Sequence, residues 1–287
     1  MSDPLASLKG NVAVITGAGS GIGEGLAHCA AAAGMQVVVA DIATDRAESV
    51  ADAIREAGGD AMAMPVDVAC PGSIDALAEA VHTRLGDVTM LFNNAGVETV
   101  GFSWELSSEQ WEKTLQINIH GAIHGVRAFA PRMLASGRRA WIANTCSIGG
   151  LGMMPLQTSY ILSKHAMISF SECLFLEMQL KGAPIHVSAV LPGPVATRIF
   201  ADGGGGQDEG SAQHRAMMDA MLHADGISGL EAAQRIFPQV VAGAFWVSTH
   251  PEVTQQMAAG RAQHLSALST PALPAEILAS MGLAVPE

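Results

Sequence analysis

NVAVITGAGSGIGEGLAHCAAAAG, residues 11–34, holds an apolar run, a glycine-rich turn and an alanine-rich segment in direct succession. NVAVIT (11–16) has the β-branched density of a buried strand, and GIGEGLAHCAAAAG (21–34) reads as a helix that stops on a glycine. Between them, TGAGSGIG (16–23) must turn the chain sharply. Gly17, Gly21 and Gly23 let the backbone approach a pyrophosphate closely, and the following helix offers free N–H groups and the positive end of its dipole. A glycine-rich turn alone is a weak signal, because such turns also arise for steric reasons. Its place between a strand and a helix is what a dinucleotide site requires.

The same alternation runs outward from this unit. Later strands are MQVVVAD (35–41), AMAMPVD (61–67), VTMLFNNAG (88–96, strand plus turn), RAWIANTCS (139–147) and IHVSAVLPG (185–193). Helices are expected over 44–57, 73–86, about 108–135 and 158–181. Near-continuous apolar strands separated by helices mean a parallel sheet covered on both faces. The expected fold is therefore α/β: a doubly wound Rossmann-type sheet in three layers, α/β/α, within a single domain spanning 1–287. Residues 230–242 continue as helix, GAFWVST (243–249) as a short strand, and HPEVTQQM opens a further helix. The segment 194–228, with Gly203–Gly206 as a flexible connector, is the candidate lid. Residues 250–287 form a C-terminal helical extension whose tail, TPALPAEILASMGLAVPE, either packs on a neighbour or is loosely ordered.

Composition excludes several classes. The chain has 287 residues, 49% hydrophobic and 15% charged, with mean hydropathy +0.30. So few charges on a globular chain suggest surface buried in a homo-oligomer. A formal net charge of −12 argues against nucleic-acid binding, which needs clustered Lys and Arg. No apolar run approaches the roughly 20 residues of a membrane span, and MSDPLASLKG is no secretory signal. Cys29, Cys70, Cys146 and Cys173 are scattered without a CxxC pair, as expected of free thiols in a reducing cytoplasm.

Asp41 ends the second strand, 18 residues after Gly23, where an acid accepts hydrogen bonds from an adenosine ribose. A carboxylate there repels a 2′-phosphate, and no Lys or Arg occupies 18–20 or 42–45 to compensate; Arg46 is the nearest cation. NAD is favoured over NADP. The competing reading of Asp41 is a cap at the strand end. Gly19, Ser20 and Ile22 complete the phosphate turn, and Ile42 follows Asp41 into the same site.

Tyr160 is the one tyrosine in the chain, and Lys164 lies four residues on, one helical turn away on the same face. Ser147 ends the fifth strand, thirteen residues before Tyr160, at the carboxyl edge where open parallel sheets bind ligands. A phenol of ordinary pKa is a poor base at neutrality. Lowering it by ~3 units takes roughly 4 kcal/mol, which one ammonium at ~4 Å supplies at an effective dielectric of 20. One well-placed Lys164 is expected to be enough.

With these residues in place, the chain resembles the short-chain dehydrogenase/reductase family. The pattern TGxxxGxG is met by Thr16 to Gly23, NNAG by Asn93, Asn94, Ala95 and Gly96, the active-site serine by Ser147, YxxxK by Tyr160 and Lys164, and the PG after the sixth strand by Pro192 and Gly193. The resemblance covers about residues 8–200. It implies that Tyr160 is the acid/base, that Ser147 hydrogen-bonds the substrate oxygen, and that Lys164 binds the nicotinamide ribose and depresses the tyrosine. It further implies a water-holding Asn118 in LQINIHG, adenine contacts from Asp67 and Val68, and a carboxamide site near Val195 and Thr197. Members commonly form tetramers through two long helices, so a homotetramer or homodimer is expected. Two departures stand out: TCSIGG places Cys146 where many members carry a second serine, and FWVSTHPE replaces the usual DGG ending.

Other residues invite either of two readings. His120 and His124 are one turn apart but lack a third ligand, so no metal site is expected. Met153, Met154, Met217, Met218 and Met221 could line an apolar pocket or fill gaps in the core. Phe170, Leu174, Phe175 and Met178 read as core plus subunit contact. The expected function is an NAD-dependent dehydrogenase of a hydrophobic secondary alcohol and its ketone. The rival readings are a non-catalytic NAD-binding sensor on the same fold, an epimerase or dehydratase of the extended branch, and an assembly role for the apolar surface.

Overall fold

The computed structural model describes residues 5–206 and 208–273, so most of the apolar tail lies outside the described residues. The first half runs β1 (Val12–Thr16), α1 (Gly21–Ala32), β2 (Gln36–Asp41), α2 (Thr44–Glu56), β3 (Asp60–Pro65), α3 (Pro71–Arg84), β4 (Val88–Asn93) and β5 (Thr99–Val100). There follow α4 (Ser108–Leu115), a π turn (Gln116–His120), α5 (Gly121–Ser136), β6 (Ala140–Thr145), a short 3-10 turn (Ile148–Leu151) and α6 (Thr158–Leu180). The last part is β7 (Ile185–Leu191), β8 (Val195–Ala196), α7 (Ile199–Gly203), β9 (Gly204–Gly205), α8 (Glu209–Asp225), β10 (Ile227–Ser228), α9 (Gly229–Val241), β11 (Trp246–Ser248) and α10 (Pro251–Ala267).

Seven strands form one sheet in the order β11-β7-β6-β4-β1-β2-β3, and every pairing in it is parallel. The order reverses direction between β1 and β4, which opens a crevice above their carboxyl ends. The strands between the two edges, β1, β2, β4, β6 and β7, are buried almost throughout, as their unbroken apolar runs require. One face packs Ile15, Val39 and Phe92 against Leu26 of α1 and Ile236 and Phe237 of α9. The other packs Val14, Leu91 and Ile142 against Ile74, Phe129 and Leu174 of α3, α5 and α6. The expected three-layer, doubly wound architecture is the one observed.

Two elements differ from expectation. The helix expected over 108–135 is broken by the π turn, which carries the buried Asn118. Gly203–Gly206 is not a free connector: Gly204 and Gly205 pair with Thr99 and Val100. Absence of side chains permits this approach, since a Cβ on Gly203 would lie 1.7 Å from the Glu98 carbonyl oxygen.

Candidate active site

A cavity of about 610 Å³ follows the carboxyl edge of the sheet. At one end lies the β1–α1 turn. Gly17 has φ +64°, and a Cβ there would lie 2.7 Å from Ala95 Cα; one on Gly23 would lie 2.2 Å from the Gly17 oxygen. Only glycine fits these two points. Asn94 ties the turn to its neighbours: its side-chain amide donates to the Thr16 oxygen (3.0 Å), and its own oxygen accepts from Thr145 Oγ1 (3.3 Å). Asp41 is buried, and its carboxylate accepts from the Gly19 and Ala43 N–H groups at 2.8 and 2.9 Å. It is therefore the cap of the competing reading, and it also borders the cavity beside the exposed Ile42. Asp67 and Val68 close that end, Asp67 accepting from the Ala69 N–H at 2.9 Å. A cradle without side chains at one point and a carboxylate at the next fits a dinucleotide's pyrophosphate and ribose.

At the other end stand Ser147, Tyr160 and Lys164, all buried yet all lining the cavity. β6 delivers Ser147, and the first turns of α6 deliver the other two. Ser147 and Tyr160 converge on one point: a Cβ on Gly149 would meet Ser147 Oγ at 3.3 Å and Tyr160 Cε1 at 3.4 Å. Lys164 Nζ donates to the Thr145 carbonyl at 3.0 Å and lies 5.4 Å from the centre of the Tyr160 ring. Pro192, Gly193, Val195 and Thr197 also line the cavity, Thr197 beside Gly21 of the β1–α1 turn. Gly193 is held there by Thr249 Oγ1, which accepts from its N–H at 2.9 Å.

The expected depression of Tyr160 by Lys164 alone is not what the folded chain produces. Burial pushes the phenol up, the nearby Glu98 carboxylate adds to this, and only the Ser147 hydroxyl opposes it. Burial likewise lowers Lys164 to about 8, against upward pulls from Cys146 and Glu98. Desolvation outweighs a single charge here because both groups lie inside the same dry pocket. The Cys146 thiol is buried and raised to about 11, which suits an inert core thiol.

Of the expected site residues, Gly19, Gly23 and Asn118 do not line the cavity. Asn118 spends its side chain elsewhere, accepting from the Val97 N–H and donating to the Val97 oxygen and Ser163 Oγ. It still approaches the lysine: Asn118 Oδ1 and Lys164 Nζ lie 3.4 and 3.6 Å from the Cβ position of Gly96. Met153, Met154, Met218 and Met221 line the cavity, whereas Met217 does not. Glu98 and Met257 line it without any signal in their local sequence. His120 and His124 lie with ring centres 6.2 Å apart, and no group of three potential metal ligands occurs among the described residues. No described helix is long and apolar enough to cross a membrane.

The sheet order, the phosphate cradle and the serine–tyrosine–lysine cluster together define a dinucleotide-dependent oxidoreductase. The chain belongs to the short chain dehydrogenase family, whose profile matches residues 11–205. It is 35% identical over 192 residues to 1-deoxy-11-beta-hydroxypentalenate dehydrogenase of Streptomyces avermitilis, covering 66% of this chain and 70% of that one. It is 36% identical over 192 residues to cyclohexanol dehydrogenase of an Acinetobacter species, covering 67% and 75%. A crystal structure of a short chain dehydrogenase/reductase from Burkholderia phymatum in complex with NAD superposes with TM-score 0.88 at 31% identity, covering 93% of this chain and 98% of that one. Solved relatives hold NAD in one case and NADP in another.

Proposed function

We propose that this chain is an NAD-dependent dehydrogenase that interconverts a hydrophobic secondary alcohol and its ketone. The observation that carries the reading is that Ser147, Tyr160 and Lys164 all line one cavity, with the Ser147 hydroxyl beside the Tyr160 phenol. A nicotinamide dinucleotide supplies the hydride acceptor and, in its oxidised form, a positive charge beside the phenol. Ser147 Oγ donates to the substrate oxygen and fixes its distance from Tyr160. Tyr160 takes the hydroxyl proton as the carbinol carbon loses hydride, and it returns that proton in the reverse direction. Lys164, anchored on Thr145, stabilises the phenolate. Asn118 holds the strand-end turn against α6 through Val97 and Ser163.

Supporting NAD, Asp41 lines the cavity with a carboxylate that would repel a 2′-phosphate, and Arg46 is shared between Asp202 at 3.2 Å and Asp41 at 3.9 Å. Supporting an apolar substrate, Val100, Leu156 and Phe200 pack with Ile199, Met218 and Leu222 above the site. The named relatives act on a cyclic alcohol and on a hydroxylated acid, which agrees with this class. A catalytic role is favoured over a sensor because three polar side chains are kept buried at the cavity, where each is costly unless used.

The test is Tyr160→Phe, assayed with NAD and a panel of secondary alcohols. Turnover should fall by at least ~100-fold, while NADH binding, read by fluorescence, should hardly change. A variant that keeps most of the wild-type rate would remove Tyr160 from the chemistry.

A further inference from the structure

Glu98 is a buried carboxyl, 5% exposed, placed two residues after the NNAG turn. Its Oε1 is shut off from solvent and has no hydrogen-bond partner among the described residues. Native proteins rarely leave such a group unsatisfied, and each exception calls for an explanation. The backbone around it is fixed on both sides. Asn118 clamps the Val97 peptide, and the Glu98 N–H meets the Ile199 oxygen at 3.4 Å. Gly203 presses on the Glu98 carbonyl so closely that a side chain there would not fit. Glu98 lines the cavity that also holds Ser147 and Tyr160.

We propose that Glu98 is a substrate-binding residue whose carboxyl receives a second hydroxyl, so that the preferred substrate is a diol rather than a simple alcohol. This rests on the dehydrogenase reading above and names its substrate class more closely. Burial raises the carboxyl to about 8, against a smaller downward pull from Lys164. Burial thus favours the uncharged acid, which has one O–H to give and one oxygen to accept. A hydroxyl can both donate and accept, and so complements it. The chemistry at the first carbon is unchanged: its C–H hydride passes to NAD, its O–H proton passes to Tyr160, and the second hydroxyl survives in a hydroxyketone product.

The test compares cyclohexanol with 1,2- and 1,3-cyclohexanediol by NADH formation, using wild type, Glu98→Gln and Glu98→Leu. The wild type should favour one diol by ~10-fold or more in kcat/KM, because a buried polar group rejects an analogue that leaves it unpaired. Glu98→Leu should abolish that preference and Glu98→Gln should retain part of it; thermal melting confirms that each variant folds. A diol preference unaltered in Glu98→Leu overturns the proposal. Equal loss of cyclohexanol and diol turnover in a folded Glu98→Leu also overturns it, since Glu98 would then act on the reacting groups. Wild type that oxidises cyclohexanol as well as either diol overturns it while leaving the dehydrogenase reading intact. Wild type that oxidises no alcohol defeats the reading beneath it.

Discussion

Asp41 performs two tasks with one carboxylate. It accepts from two backbone N–H groups and shapes the turns at 19 and 43, and it faces the cavity with negative charge. Asp41→Ala should therefore shift the ratio of kcat/KM for NADP over NAD upward by ~10-fold, about 1.4 kcal/mol. Full reversal is not expected, because Arg46, which loses its 3.9 Å contact with Asp41, keeps its pairing with Asp202. An unchanged ratio, measured with both cofactors on one alcohol, would remove Asp41 from ribose recognition. The residues legible in the sequence share a feature. Tyr160 with Lys164, the glycines of 17–23 and Asp41 after a strand are each defined by spacing within one strand, turn or helix. Glu98 is illegible because the backbone packed against it, at Ile199 and Gly203, comes from about a hundred residues further along the chain. The upward push on Tyr160 is illegible for a related reason: spacing reveals the nearby charge but not the burial around it.

The elements divide along the same line. Long apolar strands and helices announce themselves through periodicity, and each strand of the main sheet except the short β11 closely follows its sequence limits. The two-residue ladders β5–β9 and β8–β10 do not, since two glycines or a Val-Ala pair carry no strand signal of their own. These ladders hold the segment between β7 and α9 over the cavity. Lys113 adds to them by donating to the Asp202 and Gly203 carbonyls at 3.1 and 2.8 Å, and Gln110 donates to the Gly205 oxygen at 2.7 Å. We infer that this segment is a lid latched by α4. Lys113→Ala should then speed amide exchange in residues 199–206 and raise KM for the alcohol, with little loss of thermal stability because the contact is at the surface. Exchange that is as slow as in wild type would mean that the ladders alone hold the segment closed.

At the scale of the whole molecule, the outer side of α6 mixes large apolar residues with the exposed Ser169, Glu172, Glu177 and Gln179. Its inner face packs Leu174 and Met178 into the core. Its outer face exposes Leu162, Leu176 and Leu180 at 46, 56 and 87%. Residues 14 and 18 apart fall within about 40° of one another on a helix, so the three leucines form one stripe. Ile123 on the adjacent α5 is also exposed. Exposed leucines gathered on one side of a helix mark an interaction surface, and the low charged fraction of the sequence points the same way. We infer a homodimer or homotetramer assembled across α5 and α6. Light scattering of the wild type should give two or four times the 29.6 kDa chain mass. Leu176→Glu combined with Leu180→Glu places like charges face to face across a two-fold contact, and should reduce that mass to the next smaller assembly. Since Tyr160 and Lys164 sit in the first turns of the same helix, dissociation should also lower thermal stability and slow turnover. A wild-type chain that runs as a monomer at micromolar concentration would instead leave the stripe as bare surface.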